Sequence, residues 1–136
     1  MPKLTRFEDL TCWQEARKIV KDIYKICRIN EFRKDFGLAD QAKRASVSIM
    51  ANIAEGFSRR SNKEFIQFLF ISMSSAAEVQ NHLYVALDQK YIDQDQFNEI
   101  YEQINKTAML ISGLIRYLRT RQTRQTKQTR QTRQTR

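Results

Sequence analysis

The chain carries two cysteines, Cys12 and Cys27, and a single histidine, His82. On one helix a spacing of 15 residues puts the two thiols about 22 Å apart, beyond the reach of a disulfide. They read as reduced, small, apolar residues of a cytoplasmic protein. His82 falls in the middle of a helical stretch, and no second ligand stands at metal-binding spacing, so a zinc site has no parts. The chain has no Gly-rich phosphate loop and no Gly-x-Ser-x-Gly elbow. Glu99 and Glu102 lack the Glu-x-x-His partners of a di-iron bundle. The expectation is therefore no catalytic residue, no metal and no cofactor: a protein that binds rather than an enzyme.

Two constellations remain. The first is polar: Asn52, Glu55, Arg59, Arg60, Ser61 and Glu64 surround one predicted turn. A buried Asn or Glu is costly unless paired. One reading is a hydrogen-bonded lock, with Glu55 or Glu64 on an arginine and Asn52 on free backbone groups. The other is a ligand pocket, which no neighbouring nucleophile or proton shuttle supports. The second constellation is cationic. Arg17, Lys21, Lys25 and Arg28, spaced four, four and three apart, form one ridge along a helix, diluted by Glu15 and Asp22. Lys18, Arg33, Lys34, Lys43, Arg44, Arg59, Arg60 and Lys63 add to it. With no helix-turn-helix or aromatic sheet face in view, such a surface would hold phosphates of RNA or DNA rather than read bases.

The charge distribution supports the same reading. Residues 1–63 hold 14 Lys/Arg against 8 Asp/Glu, residues 64–120 hold 4 against 7, and residues 121–136 hold 6 against none, within a net charge of +9. A basic first half, an acidic second half and a basic tail suggest a polyanionic partner. A merely solubilising surface is the alternative.

Four helices must position these groups. Three glycines and one proline are too few for a turn-rich β fold. Residues 11–30 place Trp13, Ala16, Ile19, Val20, Ile23 and Cys27 on one stripe. Residues 31–37 are a polar connection. A second helix runs from Leu38 to Glu55 or Gly56, rich in small residues that permit close approach, with Gly56 as its stop. Ser61 and Glu64 form a capping box that opens a third helix to Gln89. This helix carries two stripes, one through Phe65, Leu69, Ala76 and Leu83, the other through Ile66, Phe70, Met73, Ala77 and Tyr84. A second stripe on a bundle helix suggests a second buried face and hence self-association. Asp93 and Gln96 open a fourth helix, 94–118. Short connections make this an antiparallel up-and-down four-helix bundle over residues 1–118. Residues 119–136, an Arg-Gln-Thr repeat without apolar groups, read as a disordered basic tail, either a flexible basic arm that neutralises phosphates or a repeat expansion with no role. The N-terminus shows no apolar h-region of a signal peptide, and the most apolar stretch, Phe65 to Ala77, falls short of a membrane span.

Several runs of residues resemble one family. Phe7-Glu8-Asp9-Leu10 is followed by Trp13-Gln14 and Ala16, then Ala45-Ser46-Val47-Ser48-Ile49 and Asn52-Ile53-Ala54-Glu55-Gly56. Arg59-Arg60-Ser61-Asn62-Lys63-Glu64-Phe65 and Phe68-Leu69 complete the pattern. Together they resemble the bacterial four-helix bundle proteins encoded in intervening sequences of 23S ribosomal RNA genes, the S23 ribosomal proteins. The accessory variability protein of diversity-generating retroelements is similar. The resemblance spans roughly residues 4–118. It implies a four-helix subunit, assembly into a homopentameric barrel and a basic surface used on nucleic acid. In the retroelement branch it also implies a protein scaffold that binds a reverse transcriptase. Met50 stands where the family often has Pro, and Ser74-Ser75 where it often has Gly-Ser. The Arg-Gln-Thr tail is not a family feature.

Overall fold

A computed structural model describes residues 4–134, with side chains as far as Arg121. It is an all-α, four-helix bundle: α1 (Thr11–Cys27), α2 (Phe36–Phe57), α3 (Asn62–Asp88) and α4 (Gln94–Gln134). Each helix packs on its chain neighbours, and α1 closes the bundle against α4.

The buried stripe of α1 runs through Cys12, Ala16, Ile19, Ile23, Ile26 and Cys27. Trp13 and Val20 sit at its margin, half-buried, and Trp13 meets the Phe7 ring edge-on at 5.2 Å. The helix stops three residues before the expected Asn30, because Asn30 turns the chain at φ 52°, a left-handed conformation that Asn tolerates. The polar connection is not wholly polar in use. Residues Asn30–Lys34 form a 3-10 turn that drives Phe32 into the core at 1% exposure, with its ring 5.3 Å from Tyr91.

Asp35 caps α2 by accepting the Leu38 amide at 3.1 Å, so this helix begins two residues ahead of the expected Leu38. Its contact with α3 is a seam of small residues. Ser72 Oγ donates to the Ile49 carbonyl at 2.7 Å, and the Ser48 and Ser75 hydroxyls meet at 2.8 Å. Gly56 does not act as the expected helix stop. The helix runs on to Phe57 and is closed by Ser58 in right-handed geometry, and no glycine has a positive φ. A Cβ at Gly56 would stand 2.8 Å from Phe68 Cβ and 2.9 Å from Phe65 Cδ1. Gly56 is there for the close approach of α3.

Both sequence caps form. Ser61 Oγ accepts the Glu64 amide at 3.2 Å. Asp93 and Gln96 make the full reciprocal box, Gln96 N to Asp93 Oδ1 at 2.8 Å and Asp93 N to Gln96 Oε1 at 3.0 Å. Between them, α3 ends in a Schellman motif. Lys90 at φ 62° lets Tyr91 N reach the Ala86 carbonyl at 2.9 Å. The first α3 stripe is buried through Phe65, Leu69, Ser72, Ala76, Val79, Leu83 and Ala86. Of the second, only Ile66 is buried; Met73 is half-buried, and Phe70, Ala77 and Tyr84 are exposed.

The backbone of α4 continues past the expected Leu118 to Gln134, a run without Gly or Pro in which Gln and Arg favour helix. The side chains of the repeat from residue 122 onward, and with them the expected role of the tail as a basic arm, lie outside the described residues.

Candidate nucleic-acid interface

The four ridge cations Arg17, Lys21, Lys25 and Arg28 are all exposed on one side of α1. Of the two acids that dilute the ridge in sequence, Glu15 turns away from it and Asp22 stays beside Lys25. Glu15 is buried against α4, where its Oε2 accepts from Gln103 Nε2, while Lys18 holds Oε1 at 3.0 Å and Lys106 stands at 3.9 Å. The Gln103 hydrogen bond, then that of Lys18, holds the Glu15 carboxyl below its ordinary range. Asp22 is half-buried in a small cleft that it shares with Lys25 of the ridge and Glu99 of α4. Burial, and secondly the Glu99 charge, push its carboxyl up. The ridge is therefore less diluted on the surface than in the sequence. Lys18, expected among the phosphate-holding cations, is exposed and pairs with Glu15.

The remaining cations divide between the two ends of the bundle. Because α1 and α2 run antiparallel, Arg28 meets the start of α2. There Arg28, Arg33 and Lys43 line one open cleft of about 710 Å³ together with Phe36 and Asp40. Lys43 Nζ lies 5.4 Å over the Tyr24 ring. Arg44 turns aside to pair with Asp40 at 3.0 Å. The other group, Arg59, Arg60 and Lys63, sits at the α2–α3 turn, about 33 Å away by the 22-residue length of α2. Arg59 pairs with Glu55 at 2.8 Å and lies over the Phe68 ring at 4.7 Å. Arg59 and Arg60 edge a groove of about 800 Å³ floored by Leu10, Phe57, Phe65 and Leu114.

The polar constellation also separates. Glu55 with Arg59, and Ser61 with Glu64, lock the turn as the first reading expected. Asn52 does not join them. Its Nδ2 donates to the Ser48 carbonyl at 2.8 Å and to Ser48 Oγ at 2.9 Å, so it belongs to the serine seam with α3.

Burial pushes the Cys12 and Cys27 thiols up to about 11, so both stay protonated at neutral pH and neither is a nucleophile. His82 is buried on α3, with Nε2 3.6 Å from Glu78 Oε1 and no hydrogen-bond partner. Among the described residues no group of three His, Cys, Asp or Glu side chains could hold a metal ion. Among the described residues no helix is long and apolar enough to cross a membrane. Phe36 is the residue that the sequence reading missed. It was assigned to a polar connection, yet it opens α2 with 81% of its surface exposed. The available signal was an aromatic two residues after Arg33-Lys34.

Comparison with known proteins follows the same lines. No curated protein matches the chain. A solved structure from Bacteroides thetaiotaomicron, a protein of unknown function from the S23 ribosomal protein family, superposes with a TM-score of 0.71 at 25% identity, covering 77% of this chain and 98% of that one. The family model for the 23S rRNA-intervening sequence protein matches residues 8–113. With that match spanning most of the bundle and the same fold in a solved relative, the chain belongs to the 23S rRNA-intervening sequence protein family.

Proposed function

We propose that this chain is a non-enzymatic, self-associating protein that holds RNA or DNA by its phosphates along α1. The observation that carries the reading is the ridge Arg17, Lys21, Lys25 and Arg28, exposed on one side of a helix whose Glu15 is buried against α4, leaving Asp22, beside Lys25, as the one acid at its margin. Phosphate contacts of this kind release counterions, so affinity falls steeply with salt and depends little on sequence. An oligomer, five-fold in the reading that the family resemblance suggested, would repeat the ridge and add avidity.

The test is RNA affinity against salt for the full chain and for the Arg17→Glu, Lys21→Glu, Lys25→Glu, Arg28→Glu variant, with oligomer mass recorded on the same samples. The expected outcome is loss of binding at unchanged mass. Unchanged affinity would overturn the ridge assignment. A chain ending at Arg119 separates the folded ridge from the basic repeat: binding that persists with a steep salt slope belongs to the bundle.

A second reading, a scaffold for a protein partner such as a reverse transcriptase, is favoured by the groove at the other end, where Met109, 74% exposed, stands beside Leu110 and Leu114. Binding of a purified reverse transcriptase that survives nuclease treatment and ridge reversal would support it.

A further inference from the structure

The cleft between the end of α1 and the start of α2 combines two features that a plain phosphate-binding ridge does not need. It is concave, about 710 Å³, and lined by Arg28, Arg33 and Lys43. At its edge stands Phe36, 81% exposed. A phenyl ring left in water at the first position of a helix contributes nothing to the core. Directly before it, Phe32 is buried and meets that need. The charges are available. Arg28 and Arg33 form no ion pair among the described residues, Lys43 is held over Tyr24, and the acid of the cleft, Asp40, is engaged by Arg44 at 3.0 Å. The amino end of α2 is already capped by Asp35, so phosphate contacts fall to the three side chains. Gly37, next to Phe36, leaves open space beside the ring, with Asp35 Oδ1 the nearest atom at 3.9 Å from where a Cβ would stand.

Cations that track a backbone beside an exposed aromatic ring are the arrangement that binds single strands, because an unpaired base has a free face to stack. In a duplex both faces are occupied, and unstacking is costly. We propose that this cleft is a subsite for single-stranded nucleic acid, with one unpaired base on Phe36 and the flanking phosphates on Arg28, Arg33 and Lys43. The inference rests on the nucleic-acid reading above and adds to it a preference for unpaired strands.

The experiment titrates the full chain with a labelled, unstructured 20-nucleotide RNA and with the duplex of the same length, for the wild type, Phe36→Ala and Phe36→Trp. The expected result is that Phe36→Ala weakens single-strand binding roughly 5- to 150-fold, leaves the salt slope and duplex affinity unchanged, and is rescued by Phe36→Trp. Being exposed, Phe36 can be truncated without a cost to the core; thermal unfolding verifies this. If Phe36→Ala binds the single strand like the wild type, or loses both ligands alike, the subsite is overturned while salt-steep binding still upholds the ridge. If the wild type binds neither ligand at low salt, both readings fall.

Discussion

Gly56 and Gly113 show how differently one residue type can be used within a single bundle. At Gly113 a Cβ would meet nothing closer than Arg116 Nη2 at 3.9 Å, whereas at Gly56 it would press on Phe68 and Phe65 at 2.8 and 2.9 Å. Alanine gains about 1 kcal/mol of helix propensity at either position. At Gly56, overpacking against the root of Phe68 costs about 1–3 kcal/mol and wins. Gly113→Ala is therefore expected to raise the unfolding free energy and Gly56→Ala to lower it, measured by urea denaturation. Equal shifts would remove the close-approach argument. The presence of Gly56 near a helix end was legible in the sequence, but its reason was not. A stop requires a left-handed backbone, and only the placement of α3 reveals that the constraint is space.

On α1 the decisive matter is where its charges face. Glu15 is held ionised by Gln103 and Lys18, so its carboxyl takes up protons less readily in the folded chain than in the unfolded one. The stability this contributes is complete above the ordinary carboxylate range and is lost as pH falls through the lowered folded-state value. Unfolding free energy measured from neutral to acid pH should therefore drop less steeply in Glu15→Gln than in the wild type. A slope identical in both would mean that the α1–α4 contact carries no linkage. The same contact clears Glu15 from the ridge. Period alone places Glu15 and Asp22 near the cations, and the packing of α4 draws Glu15 away, while Asp22 stays beside Lys25. Asn52 is a different case on α2: its bonds go one turn back along its own helix to Ser48 rather than to the α2–α3 turn, and only Ser48 reaches across to Ser75 of α3.

For the whole molecule, the outer side of α3 is the feature a monomer leaves unexplained. Phe70, Ile71, Tyr84 and Val85 are 44%, 49%, 50% and 38% exposed. Parts of this side are already in use: Tyr84 packs on Phe97 at 4.9 Å, and Arg119 lies over Phe70 at 5.3 Å. Ile71 and Val85 are the residues that the proposed self-association would bury. The Ile71→Glu, Val85→Glu variant should reduce the mass seen by light scattering from a multiple of 16.2 kDa to 16.2 kDa with helicity unchanged. A wild type already at 16.2 kDa would end the self-association reading. Loss of avidity should accompany dissociation, because each subunit would then present one ridge instead of several.

The sequence by itself determined the four helices, the two capping boxes at Ser61 and Asp93, the stripes that form the core, and the family. These depend on local propensity, on a 3.6-residue period and on motif spacing, all of which a linear chain displays. The tertiary structure alone decided that Phe32 is buried and Phe36 exposed, four residues apart in a stretch that reads as polar. It decided that Arg28, Arg33 and Lys43 share a cleft while Arg59, Arg60 and Lys63 gather at the far end, and that the exposed Lys18 pairs with the buried Glu15. The physical reason is common to all of them: a period specifies which face of a helix is apolar, but what stands opposite a side chain depends on the neighbouring helix.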